Sequence, residues 1–215
     1  MSADLRTRIL AACNAIEIHR DELGRLDAVA GDGDHGVSMA LGARAVRAAL
    51  EAHPEASGPA ILTLIAPAAA SVGGTIGPIW ATMLVRAATT ALAADVGDQP
   101  TVGQLSACAD AALGGVQALG KARPGDKTLV DAIAPVALAL AQSEASGLGV
   151  TEAADAAVAA ADAGADATAG MVATLGRASR LGDRSLGSVD PGARSLAIVL
   201  RAVVEAEPDA RPVER

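Results

Sequence analysis

Three carboxylates, Asp27, Asp32 and Asp34, fall within eight residues in the stretch LDAVAGDGDHG, interleaved with Gly31, Gly33 and Gly36. Like charges crowded on a short glycine-rich stretch repel one another, and carboxylate oxygens are hard donors that select Mg²⁺, Ca²⁺ or Mn²⁺ over Zn²⁺. A divalent cation resolves the repulsion; a solvated turn with an aspartate capping the helix after Gly36 accounts for the same residues. The stretch is not an EF-hand loop. Counted from Asp32, the sixth position is Val37 where glycine is required, and the twelfth is Ala43 where glutamate is. His35, beside the acids, is accounted for by a hydrogen bond to a carboxylate. Ser38 and Met39 open the next helix, where N–H groups and a hydroxyl can meet a phosphate oxygen.

Two further stretches are suited to anions. SVGGTIGPIW, residues 71–80, sets Gly73, Gly74, Thr75, Gly77 and Pro78 at the start of a helix. Glycine followed by proline at a first turn aims several N–H groups one way, an anion-binding geometry, although close helix crossing explains paired glycines equally well. No Gly-Lys-Ser/Thr follows, so this is not a P-loop. GRASRLGDRSLGSVDPGA, residues 176–193, gathers Arg177, Arg180 and Arg184 with Ser179, Ser185 and Ser188 in an otherwise acidic chain. Arginine forks and hydroxyls suit a polyphosphate; a solvated loop neutralising Asp183 and Asp190 is the plainer reading. An acid trio, a helix N-terminus and an Arg/Ser segment together describe a Mg-nucleotide site.

The elements that must position these groups are helices. The 215 residues contain no Phe, no Tyr and one Trp, Trp80. Alanine is the best helix former and strands favour the aromatics that are missing, so the chain reads as all-α with closely packed helices. Apolar residues recur at helical spacing over 5–18, 36–52, 60–70, 78–94, 102–118, 129–141, 151–167 and 193–204, eight helices in one domain. The domain is taken as 1–207, with a proline-containing tail over 208–215. Seventeen basic against 25 acidic residues give a net charge of −8, which argues against nucleic acid and anionic membrane as partners. Charges interrupt the first ten residues, so a cytoplasmic location is expected. Cys13 and Cys108 read as buried free thiols. The uncharged run 61–85 is long enough to span a bilayer, but its prolines and Gly73-Gly74 favour two buried helices joined by a turn.

In four ordered blocks the chain resembles the nucleotide-binding L subunit, or L domain, of dihydroxyacetone kinases: LDAVAGDGDHGVSMALG, SVGGTIGPIWATMLVRAA, KARPGDKTLVDA and GRASRLGDRSLGSVDPGA. The resemblance implies an eight-helix antiparallel barrel whose loops at one end hold ADP or ATP with two Mg²⁺ ions. It implies Asp27, Asp32 and Asp34 as metal ligands, with His35, Gly73, Gly74 and Thr75 around the phosphates. Arg184 would meet phosphate charge, and Leu129, Asp190, Pro191 and Gly192 would border the nucleoside. The ketose would be carried by a separate K subunit, so the chain would be one half of a kinase acting by phosphoryl transfer.

The chain departs from the family pattern at three places. Ser38 stands where Asn is common, Ile76 replaces a phosphate-contacting Ser, and Ala81 replaces Gly. Dihydroxyacetone is the expected acceptor, with erythrulose as an alternative. The phosphoryl donor is either exchanging ATP or a phosphotransferase-system phosphocarrier protein acting on resident ADP. A nucleotide-loaded protein that binds a transcriptional regulator is a non-catalytic alternative, and a helical domain that has lost nucleotide binding is another.

Overall fold

The computed structural model describes residues 4–207, so the tail expected over 208–215 lies outside the described residues. They form α1 (Leu5–Ile18), α2 (Arg20–Ala30), α3 (His35–Ala52), α4 (Ala60–Ala70), α5 (Ile76–Ala93), α6 (Val102–Gly120), α7 (Val130–Ala145), α8 (Val150–Ala167) and α9 (Pro191–Val204). Two 3₁₀ segments, Thr168–Gly170 and Ala178–Ser185, lie between α8 and α9.

Eight helices close a ring in chain order. α1 packs on α3, each of α3 to α8 packs on the next, and α9 returns to α1. This is the expected eight-helix barrel. α2 lies outside the ring against α1, α3, α9 and the second 3₁₀ segment, in a stretch where helical spacing of apolar residues shows only a connection. Its sequence, RDELGRLDAVA, buries only Leu23, so it has no apolar stripe to reveal its period.

Small residues let the ring close tightly. Ala132, Ala153, Ala161, Ala165 and Ala193 are wholly buried in a cluster built largely from α5 to α9. A Cβ on Gly164 in α8 would collide with the Asp131 carbonyl of α7, so these helices meet backbone to backbone. A second cluster, centred on Ile9, Ile16, Leu23, Leu50, Ile61 and Ile65, fills the α1–α4 side, and Ile76 and Trp80 pack against both. Helix ends carry side-chain caps: Thr101 and Gln104 form a reciprocal box on α6, and Asp190 accepts from Ala193 N on α9.

The uncharged run 61–85 is not one helix; a turn with Gly74 at φ +72° divides it into α4 and α5. Among the described residues α5 alone is long and apolar enough to cross a membrane, and it is packed between α4 and α6. Cys13 and Cys108 are both free; burial pushes the Cys13 thiol up to about 11.

Candidate functional site

The acid trio is assembled by a close helix contact. Asp27 occupies the last turn of α2, and Asp32 and Asp34 lie in the short link to α3. A Cβ on Gly36 would run into the Arg20 carbonyl, so only glycine lets the start of α3 lie against α2. The chain therefore doubles back, and one carboxylate oxygen from each aspartate lies within 4.8 Å of the other two. Asp27 turns its Oδ2 toward the His35 N–H at 3.4 Å, leaving Asp34 at the head of α3 without a side-chain cap bond. The charge is met from a distant segment. Arg177 donates to Asp32 and lies 3.5 Å from Asp34, with all three side chains about half exposed.

Beside the trio opens a cleft of about 370 Å³. Asp27, Asp34, His35 and Ser38 line one side, and Gly73, Gly74, Thr75 and Ile76 line the approach to α5. Gly74 is at φ +72°, a left-handed turn directly ahead of α5, and Thr75 and Ile76 at the start of that helix line the cleft. Leu129, Asp190, Pro191 and Gly192 line the far wall. His35 is buried between the sides, its Nε2 3.2 Å from Ser195 Oγ on α9. Burial lowers the His35 pKa, and Asp27 and a hydrogen bond to the Pro191 backbone oppose the shift. The imidazole is a buried hydrogen-bonding strut between α3 and α9.

The far wall is built on a buried cation. Lys127, in a left-handed conformation at φ +59°, is 4% exposed, and its Nζ donates to the carbonyls of Thr168 at 2.7 Å and Ser188 at 2.5 Å. Burial lowers its pKa; Asp190 and Asp131 work against the shift. Asp131 is buried and accepts from Gly125 N and Thr128 N, which folds the 123–128 loop over the start of α7. Asp190 is also pulled out of water, and burial raises its carboxyl to about 6 despite the Ala193 N–H and Lys127.

Most of the residues singled out in the sequence thus face one cleft, but Asp32, Arg184, Arg180, Ser179 and the wholly buried Ser185 are not part of its lining. Asp32 stands at the rim, in the trio but outside the lining, and Arg184 is exposed and also outside it. Gly182, at φ +53°, splits the 178–185 segment, and it is Arg177, ahead of that kink, that reaches the acids and the cleft. Asp27 belongs to a helix, not to a loop. Lys127 and Asp131 lie in the KARPGDKTLVDA block, but the sequence assigns neither of them, nor Thr168, a role in the site. The signal for the first two was the run GDKTLVD, whose lysine is framed by acids directly before a helix.

The DAK2 domain family model matches residues 29–205. The L-erythrulose kinase of Pectobacterium atrosepticum is 41% identical over 198 residues, covering 90% of this chain and 33% of that protein. The ADP-binding subunit DhaL of the PEP-dependent dihydroxyacetone kinase of Escherichia coli (strain K12) is 38% identical over 205 residues, covering 91% of this chain and 94% of that one. The crystal structure of the dihydroxyacetone kinase from C. freundii in complex with AMP-PNP and Mg²⁺ superposes with a TM-score of 0.71 at 26% identity, over 94% of this chain and 34% of that chain. The chain spans about a third of the length of the erythrulose kinases it matches.

Proposed function

The chain belongs to the DAK2-domain family of kinases, and from that premise we propose that it is the Mg-nucleotide-binding part of a ketose kinase. It would present a phosphoryl group from ADP or ATP to a ketose held by a separate K subunit. The observation that carries this reading is that Asp27 and Asp34, with Asp32 at the rim, and the glycine turn before α5 border one cleft.

The residues fit the groups assigned to them. Three carboxylates with mutually close oxygens, two of them exposed, are a hard-oxygen donor set of the kind Mg²⁺ takes. Asp27, Asp32 and Asp34 would hold it, two ions being the expected number. Bound there, Mg²⁺ would neutralise and orient the transferring phosphates. The N–H groups at the start of α5, the Thr75 hydroxyl and Ser38 would bind phosphate oxygens, and Arg177 would supply a forked donor on the solvent side. Arg184 stands further out and would act at longer range. The nucleoside would lie along Leu129 and residues 190–192, held by aliphatic contact and backbone, because no aromatic other than Trp80 exists to stack on it. The chain's contribution to the reaction would be position and electrostatics, with no covalent step on its own side chains.

Dihydroxyacetone is the proposed acceptor. Erythrulose is the second, favoured by the names of the 41–42% identical relatives. A phosphocarrier protein as donor, a transcriptional regulator as partner and a cytoplasmic location belong to the same proposal; nucleic acid and membrane do not. The test is reconstitution with a K subunit, each ketose being offered with ATP or a phosphorylated carrier. Transfer to either ketose supports the reading, and a mixture inert with both donors contradicts it.

A further inference from the structure

The far wall of the cleft hangs on Lys127, which lies in the KARPGDKTLVDA block but is given no role in the site by it. Its ammonium is buried, and a buried ammonium is costly unless hydrogen-bonded. Its backbone is also held in a left-handed conformation that a non-glycine residue adopts only when its surroundings impose it. Both costs secure one arrangement: Nζ ties the Thr168 carbonyl at the end of α8 to the Ser188 carbonyl just ahead of α9. Thr168 closes the circuit. Its Oγ1 accepts from Asp190 N at 2.8 Å and donates to Ala165 O at 2.6 Å, while Asp190 caps α9 and faces Lys127 electrostatically. Residues 188–192, which line the far wall, are thus held by a lysine–threonine–aspartate circuit and not by packing alone. Among the described residues Lys127 bonds neither the acid trio nor the glycine turn.

We infer that Lys127 is a positioning residue of the nucleotide site: its ammonium fixes the 188–192 segment against Leu129, so that it governs recognition of the nucleoside and leaves recognition of the phosphates to the opposite wall. This rests on the nucleotide-binding reading above. A structural lysine alone would alter every ligand and the stability together; a positioning lysine alters ligands that reach the far wall.

The experiment is calorimetric titration of Mg-ADP and of Mg-pyrophosphate into wild type, Lys127→Met, Thr168→Val and Thr168→Ser, with a thermal midpoint for each. The methionine variant is expected to bind Mg-ADP about tenfold or more weakly, since it leaves two buried carbonyls unpaired. It is expected to hold Mg-pyrophosphate within about twofold, because no bond of Lys127 reaches that wall. Thr168→Ser keeps the hydroxyl and wild-type ADP affinity, whereas Thr168→Val weakens ADP selectively. Unchanged ADP affinity in Lys127→Met, or equal loss of both ligands, overturns the positioning role. Should that variant not fold, the threonine pair decides, and Thr168→Val binding ADP like wild type overturns it. A wild type that takes up Mg-pyrophosphate but no Mg-ADP fails differently, overturning the nucleotide reading itself.

Discussion

Arg177 donates to Asp32 and stands 3.5 Å from Asp34, so a guanidinium occupies the ground between acids that would otherwise face one another across a cation site. A guanidinium and a divalent ion compete for the same oxygens. Arg177→Gln is therefore expected to tighten Mg²⁺ binding in the absence of nucleotide by about two- to fivefold, the scale of an exposed ion pair. The same change should weaken Mg-ADP by about tenfold through loss of a forked phosphate donor. Calorimetry with Mg²⁺ alone and with Mg-ADP reads the two signs separately; weaker Mg²⁺ binding without nucleotide would show that Arg177 is no competitor.

Gly36 fixes how closely α3 approaches α2. Gly36→Ala forces a Cβ against the Arg20 carbonyl and should cost about 1–3 kcal/mol, lowering the thermal midpoint by about 2–4 °C per kcal/mol. Gly114, exposed on α6 with open space where a Cβ would go, is the control. Gly114→Ala should raise stability by about 0.4–1 kcal/mol. Equal midpoints for the two variants would refute the close contact.

Asp190 makes stability depend on pH in an unusual direction for an aspartate. Its folded-state carboxyl is raised to about 6 from 3.8, so the folded protein holds that proton more tightly than the unfolded chain does. The stabilising contribution is complete below the unfolded value and fades as pH rises through the folded one. Asparagine keeps the cap without the titration. Asp190→Asn should therefore gain on wild type by about 1–3 kcal/mol between pH 4 and 7. Urea unfolding across that range checks it, and a pH-independent difference contradicts it.

Ile76 opens α5 at the cleft and also packs against both core clusters. Ile76→Ser supplies the hydroxyl that the family resemblance implies at this position but removes apolar contact, at a cost of about 1–2 kcal/mol in stability. Mg-ADP affinity is expected to rise a few-fold, about the worth of one added hydrogen bond to a charged group. Unchanged affinity would show that Thr75 already fills the role.

Composition and helical spacing made the ring legible, since each of its eight helices buries an apolar face. α2 was hidden because it buries only Leu23 and carries Gly24 in its interior. The acid trio could be read from spacing, because any fold of so short a stretch keeps Asp32 and Asp34 together. Which arginine meets them could not: Arg177, Arg180 and Arg184 look alike in sequence, and only the bend at Gly182 separates Arg177 from Arg184. Lys127 was hidden for the opposite reason. Its role depends on the carbonyls of Thr168 and Ser188, 41 and 61 residues away, and carbonyls leave no mark on a sequence.

Calorimetric titration of ADP with Mg²⁺ and with excess chelator, into wild type and Asp32→Asn/Asp34→Asn, tests the Mg-nucleotide site most directly, with circular dichroism confirming equal helicity. Saturable binding is expected in wild type with Mg²⁺, falling at least about a hundredfold with chelator or in the variant, the effect of removing charge-paired metal contacts. ADP binding of equal strength in all samples, or none in wild type with Mg²⁺, would contradict the assignment of the acid trio and the cleft.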